Sequence, residues 1–246
     1  MENSKYKMTV IVPVYNEKEN LDRLVKTFNN FFEVSLIKCK VLFVDDGSTD
    51  GSYEKIINIC KNNKEFEYIK FKKNCGLSCA IKAAIDIINT ELIGYIDADL
   101  QTTPFDFNKL LKFINDYDSV IGIRKNRQDN FSKKIQSKIA NYIRRKLIDD
   151  GIIDTGCPLK VIKTKYAKKI PFFKGMHRFL PALIQLHGGK VKQVEVQHFE
   201  RKVGVSKYNM CNRALKALID AFAFRWMRNR YIKYTIIDSN IKYDDK

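Results

Sequence analysis

Proline and glycine are scarce, five and eleven in 246 residues, and tryptophan occurs once. So little of either excludes a collagen-like repeat or a low-complexity disordered chain, and a hydrophobic share of 45% is enough for one sizeable core. Long apolar runs are missing too. The greasiest stretches, residues 10–15, 92–96 and 221–224, fall far short of the roughly 18 residues of a membrane span. The first eight residues carry charges and no apolar segment of the secretory kind, so the protein is expected to be made and kept in the cytosol. Cysteine occurs six times (39, 60, 75, 79, 157, 211), but never as C-x-x-C and never clustered with His177, His187 or His198. Reduced, mostly buried thiols are expected, and a zinc site is not. The absence of G-x-G-x-x-G and of G-x-x-x-x-G-K-[ST] excludes the usual dehydrogenase and P-loop designs. No zinc-finger or RRM signature occurs, and aromatics do not alternate with basic residues, so nucleic acid is not an expected partner.

What is abundant is positive charge, 45 Lys and Arg against 28 Asp and Glu, and it is unevenly placed. Residues 1–123 hold 16 basic and 18 acidic side chains, whereas residues 160–234 hold 18 and 3. A solvated lysine-rich surface is the plain explanation. The functional one is a field that attracts phosphates, whether in nucleic acid, on an anionic membrane surface or on a phosphorylated substrate.

The first half alternates strands with helices. Residues 8–15 form a continuous β-branched run, and Leu21, Leu24, Val25, Phe28 and Phe32 follow at helical spacing. A second strand, 39–44, stops at the turn 45–50, which also supplies N-cap residues for a helix carrying Ile56, Ile57, Ile59 and Cys60. A third strand, 67–71, leads through Asn74-Cys75-Gly76 into a helix with Leu77, Ile81, Ala84, Ile85 and Ile88; a fourth, 92–96, ends in Asp97-Ala98-Asp99. This pattern predicts an α/β fold, a mostly parallel central sheet with helices on both faces.

Ligands of such sheets bind beyond the carboxyl ends of the strands. Asp99 and Gln101, two apart, suit a hard divalent cation such as Mg2+ or Mn2+, and Asp97 suits either the metal or a ribose. Asp46 suits the ring N–H of uracil or guanine. Each pair taken singly is more often a turn or helix cap than a metal site; it is the order and spacing of the three elements that point to a metal and a nucleotide.

The runs 10–17 (Val-Ile-Val-Pro-Val-Tyr-Asn-Glu), 44–51 (Val-Asp-Asp-Gly-Ser-Thr-Asp-Gly), 74–76 and 97–101 together resemble the nucleotide-sugar half of family 2 glycosyltransferases with the GT-A fold. The later runs 154–160 (Asp-Thr-Gly-Cys-Pro-Leu-Lys), 177–181 (His-Arg-Phe-Leu-Pro) and 201–208 (Arg-Lys-Val-Gly-Val-Ser-Lys-Tyr) resemble the dolichol-phosphate mannose synthase and polyprenyl-phosphate glycosyltransferase branch. The resemblance implies an inverting transferase that moves a sugar from a UDP- or GDP-linked donor to a dolichyl or undecaprenyl type of phosphate. It puts Pro13, Tyr15, Glu17 and Asp46 around the nucleoside and Asp97, Asp99 and Gln101 at the diphosphate and metal. Arg124 matches the basic residue after the fifth strand, and Arg201 with Lys207 matches a loop closing over phosphates. Lys133 or Lys134 stands where an acceptor-phosphate Arg is common, supplying a point charge without the bidentate fork. Residues 102–106 (Thr-Thr-Pro-Phe-Asp) depart from the D-P-P-E usual after D-L-Q. The implied organisation is a catalytic GT-A domain over 1–208, then an amphipathic helix and short polar tail over 209–246 with no transmembrane segment.

A phosphate acceptor, with a second pKa near 6, scarcely needs a general base. A carbohydrate hydroxyl, the rival acceptor, does need one, and Asp154 is the evident candidate, with a turn or cap role as its alternative. Residues 209–227 place Cys211, Leu215, Leu218, Phe222 and Trp226 broadly on one side of a helix, which fits core packing or a membrane surface. The lipid is then met by surface docking at the cytoplasmic face, or with the help of a separate membrane protein. A non-catalytic basic module that binds anionic lipid or nucleic acid is the remaining alternative, and intact Asp46, Asp97, Asp99 and Gln101 argue against it.

Overall fold

The computed structural model describes residues 5–125, 147–200, 210–232 and 236–238, with side chains of 210–217 left aside. Seven strands form one sheet: β1 (Met8–Val14), β2 (Cys39–Asp45), β3 (Phe66–Lys70), β4 (Leu92–Tyr95), β5 (Ser119–Arg124), β6 (Lys160–Lys163) and β7 (Val191–Val196). Their order is β3-β2-β1-β4-β6-β5-β7, parallel throughout except for β6, which runs antiparallel between β4 and β5. The alternating pattern in the sequence thus gives the expected α/β architecture, with one strand reversed where the two halves of the sheet meet.

Helices cover both faces because the strands bury side chains both ways. Val10, Val12 and Val14 point into one core, closed by Leu21, Leu24, Phe28 and Phe31 of α1 (Lys18–Val34), Ile56 of α2 (Ser52–Asn62) and Leu110 of α4 (Phe107–Leu111). Ile11, Leu42 and Val44 point into the other, closed by α3 (Leu77–Ile87), α5 (Thr164–Ala167), α6 (Leu180–Leu186) and α7 (Met210–Asn229). On α1 it is Phe31, not Phe32, that is fully buried; Phe32 packs against the rim of the same aromatic cluster.

Pro13 lies in a central strand without breaking the ladder. Backbone groups of odd-numbered β1 residues face β4, as Ile96 N–H donating to the Ile11 carbonyl shows, and the β1–β4 pairing ends at Ile11 opposite Tyr95. The N–H that proline lacks therefore falls just past the last ladder position.

Two local expectations are corrected. The N-cap of α2 is Gly51, in the left-handed region at φ 87°, and Asp50 instead accepts from the Ser52 N–H at 2.9 Å and its hydroxyl at 2.6 Å. Among the described side chains the thiols are not mostly buried: Cys39 and Cys157 are, Cys60 is half-buried, and Cys75, just before α3, and Cys79, in its first turn, are exposed.

Helix α7 divides its apolar residues between two faces. Phe224, 1% exposed, stacks on Phe179 at 5.5 Å, and Asp220 accepts from Arg178 at 2.7 Å. Phe222 and Trp226, at 55% and 64% exposure, point away from the core with Ile219. No helix among the described residues is long and apolar enough to cross a membrane.

Candidate functional site

The carboxyl ends of β1 and β2 are stitched together by short polar side chains. Asn16, at φ 53°, donates its N–H to the Ser48 hydroxyl at 2.9 Å and accepts from the Thr49 N–H at 2.7 Å. Glu17, at the N-cap of α1, donates its N–H to the Ser52 hydroxyl, and Lys18 donates its own to Asp50. The N-terminus of α1 thus takes its caps from the neighbouring loop instead of from its own sequence. Asp46, one residue beyond β2, accepts from the N–H groups of Cys75 and Gly76 at 2.6 and 2.8 Å. Burial pushes its carboxyl up, an effect opposed by those two bonds and reinforced by Asp45 beside it. Gly47, at φ 71°, lets this loop close: a Cβ there would meet the Lys73 carbonyl carbon at 2.5 Å. Pro13, Tyr15, Glu17 and Asp46 therefore share one rim.

Beyond β4 the chain turns sharply. Leu100 occupies the left-handed region at φ 55°, a conformation that costs a bulky residue about 1–3 kcal/mol and tends to persist at functional sites. This turn sets the Gln101 N–H on the Asp99 carboxylate at 3.0 Å, and Gln101 in turn accepts from the Phe199 N–H at 2.9 Å. Arg23 of α1 donates to the Asp99 carbonyl at 2.8 Å. Asp97 accepts from the Tyr95 hydroxyl at 2.7 Å. Burial first, and the Asp99 charge second, push the Asp97 carboxyl up. Two adjacent carboxylates that repel each other in a buried setting fit a hard divalent cation, which would relieve both effects. No group of three or more His, Cys, Asp or Glu that could hold a metal gathers among the described residues, so such an ion would need Gln101, water or ligand phosphates to complete its shell.

Arg124, the last residue of β5, meets Asp154 in a bidentate pair, Nε to Oδ2 and Nη2 to Oδ1 both at 2.8 Å. The Arg124 and Gly156 N–H groups each add a bond to Asp154 at 3.2 Å. All four acceptor positions of this carboxylate are thereby taken, by a fork and two backbone donors. Gly156 permits the approach, since a Cβ there would stand 2.8 Å from Arg124 Nη2.

Lys160, on β6 within the sheet, is a charged residue only 2% exposed. Its Nζ donates to the Cys157 carbonyl and sits 5.3 Å from the centre of the Tyr95 ring. Burial pushes its pKa down, while Cys157 and Asp97 push it back up. An ammonium so placed is costly unless compensated, and the charges of Asp97 and Asp154 compensate it on the site side. Tyr95, Lys160 and Arg23 went unassigned in the sequence reading. A lone lysine within Leu159-Lys160-Val161-Ile162 was the available signal for the second of them. Arg201, Lys207, Lys133 and Lys134 lie outside the described residues.

The family description Glycosyl transferase family 2 matches residues 9–171, from the first strand to beyond β6. The chain belongs to glycosyl transferase family 2. The resemblance drawn from its motifs is thus borne out. Among curated relatives of this family 2 chain is the dodecaprenyl-phosphate galacturonate synthase of Rhizobium johnstonii, 29% identical over 222 residues. That match covers 87% of this chain, which spans 64% of the relative's length. The fold is shared with solved structures of low identity. One is mannosyl-3-phosphoglycerate synthase from Rubrobacter xylanophilus, at TM-score 0.70 and 17% identity over 94% of this chain and 77% of that one. Another is a Pyrobaculum calidifontis mannosyltransferase in complex with GDP-Man and Mn2+, at 0.61 and 17%, over 93% and 72%. A third is glucosyl-3-phosphoglycerate synthase from Mycobacterium tuberculosis in complex with Mn2+, UDP and glucosyl-3-phosphoglycerate, at 0.66 and 12%, over 94% and 82%.

Proposed function

We propose that this family 2 chain is an inverting transferase that moves a sugar from a UDP- or GDP-linked donor to a polyprenyl phosphate at the cytoplasmic face of a membrane. The observation that carries the choice of acceptor is the Asp154 carboxylate, whose four acceptor positions are filled by Arg124 and two N–H groups. It is an anchor for a cation and has no position left for a substrate proton. A phosphate acceptor, largely dianionic at neutral pH, needs none taken. The relative's name, a polyprenyl-phosphate sugar synthase, supports the same class of acceptor.

In this reading Pro13, Tyr15 and Glu17 flank the nucleoside, and Asp46 accepts from the base. Asp97, Asp99 and Gln101 would hold Mg2+ or Mn2+, which when bound neutralises charge on the departing diphosphate. The acceptor phosphate attacks C1 from the side opposite that leaving group. Arg124, fixed by its fork, presents positive charge where charge develops, without having to reorganise. The motif resemblance assigns Arg201 and Lys207 to the donor phosphates and Lys133 and Lys134 to the acceptor phosphate. Exposed Ile219, Phe222 and Trp226, with Arg225 on the same helix and Arg230 just past its end, suit an anionic membrane surface. Membrane attachment through a separate membrane protein is the competing route.

The test is transfer from a panel of UDP- and GDP-sugars to a short-chain polyprenyl phosphate with Mn2+ or Mg2+, the product being followed by extraction into organic solvent. A glycosylated lipid phosphate is expected. Turnover with sugar hydroxyl acceptors but none with the lipid phosphate overturns the reading.

A further inference from the structure

A groove of about 950 Å3 opens on the outer side of the segment between β3 and α3, away from the rim that carries Asp46. Its apolar lining comes from Phe71, Phe172 and Phe173, and its cations are Lys70, Lys72, Lys73, Lys82 and Lys174. Asp86, the one acidic residue in the lining, is already paired with Lys82 in an i,i+4 ion pair. Lys70 lies 3.5 Å from the centre of the Tyr53 ring, which leaves Lys72, Lys73 and Lys174 as exposed point charges at the mouth. Phenyl groups beneath several ammonium groups match a molecule with a hydrocarbon root and a phosphate head.

The groove is built into the fold. The Gly175 N–H donates to the Ser78 hydroxyl at 3.0 Å, and that hydroxyl also bonds His177 Nδ1 at 2.8 Å, which fastens the 172–177 segment to α3. Phe173 stacks on Phe179 at 6.3 Å, and Phe179 on Phe224 of α7 at 5.5 Å, so the lining runs on into the core beneath the helix that exposes Phe222 and Trp226. The groove is also walled off from the reaction. Cys75 and Gly76 turn their N–H groups to Asp46, and Gly47 packs against the Lys73 and Asn74 backbone without room for a Cβ. Asp97, Asp99, Gln101, Arg124 and Asp154 are all absent from its lining, so an occupant here is placed apart from the sugar acceptor.

We infer that this groove holds the head group of an anionic glycerophospholipid of the surrounding leaflet, with the first part of an acyl chain on Phe71, Phe172 and Phe173. The inference rests on the membrane part of the proposed function, and its test needs neither donor, metal nor turnover, so the two can fail separately.

Cys75 and Cys79 line the groove and are exposed, while Cys39 and Cys157 are buried. Alkylation of each thiol in the full-length protein can be followed by peptide mass spectrometry with dihexanoyl phosphatidylglycerol below its micelle concentration. At about ten times the dissociation constant, mass action slows labelling at an occluded thiol about tenfold. That slowing is expected at Cys75 and Cys79 with phosphatidylglycerol, and not with dihexanoyl phosphatidylcholine or inorganic phosphate. Lys72→Glu combined with Lys174→Glu, both at exposed positions, is expected to abolish it. Equal protection by phosphatidylcholine or by inorganic phosphate overturns the inference, as does protection by geranyl phosphate alone or by none of the four. Protection that survives the double charge reversal overturns it as well.

Discussion

At the ends of β1 and β2 the polar residues are held by one another's loops, through short side chains bonded to neutral backbone N–H groups and hydroxyls. At the ends of β4 and β5 they are held largely by charged side chains. Asn16, Ser48, Ser52 and Asp50 make the first arrangement, each bond joining a side chain to a nearby backbone group or hydroxyl. Asp97, Lys160, Arg124 and Asp154 make the second, with Tyr95 and Arg23 as buttresses. The first is a set of separable bonds. The second couples buried opposite charges, so removing any one leaves another uncompensated.

Breaking the charged region should therefore cost most. Asp99→Ala is expected to lower metal-supported transfer about 100-fold or more while leaving the fold intact, as removal of a main electrostatic stabiliser does. Turnover in limiting Mn2+ alongside a thermal melt checks this, and near wild-type turnover of a folded variant sinks the metal assignment. Asp154→Asn comes next. Loss of the Arg124 fork is expected to lower kcat about 10–100-fold through misplacement of the cation, and to destabilise the fold by about 3 kcal/mol as a broken buried pair. The pH–rate profile of the variant should keep its shape, since Asp154 serves as anchor; loss of the acid limb would make it the base.

Lys160→Met separates charge from packing within the same region. Metal affinity measured by calorimetry should fall about tenfold, the usual size for loss of a partner behind the ligands, and the melting temperature should fall with it, because Asp97 is left buried without the charge that opposes it. Lys160→Arg, retaining the charge, is expected to recover part of the affinity.

The smallest effect belongs to the stitched region. Asp50→Ala removes one cap and should cost about 1 kcal/mol, with little change in turnover. Burial pushes the Asp50 carboxyl up, but bonds from Ser52 and Lys18 outweigh it and leave the pKa below the ordinary value of 3.8. A lowered pKa means that Asp50 contributes stability above the ordinary value and loses it as pH falls through the lowered one. Denaturation curves from neutral to acid pH should accordingly converge for wild type and Asp50→Ala at the acid end.

The same contrast explains what could be read from the sequence. Strand ends crowded with Asn, Asp, Ser and Gly announce themselves, because those residue types favour turns and caps wherever they stand, and so the rim from Pro13 to Asp46 was legible along with the alternation of strands and helices. Lys160 was not, although it lies inside a quoted motif. It meets Tyr95 only because β6 runs backwards beside β4, a pairing across 65 residues of sequence that no local pattern announces. Arg23 looks like part of a solvated helix face next to Asp22, and only the fold carries it to Asp99. On α7 the periodicity was correct but its meaning was open. Two apolar stripes share one helix, and only tertiary contact tells that Phe224 faces inward while Phe222 and Trp226 face out.

The reversed strand β6 also sets an order of events during synthesis. Strands β1 to β4 pair within the first 95 residues, but β4 has an open edge until Lys160–Lys163 has left the ribosome. At 5–20 residues per second, the roughly 70 intervening residues take about 3–14 s to make. For that interval Leu92–Tyr95, a run buried at every position in the finished sheet, stands as an unpaired template for another chain. The nascent protein is therefore most exposed to misassembly after its nucleotide-side half has formed, and a pause in translation between β4 and β6 is where aggregation should begin.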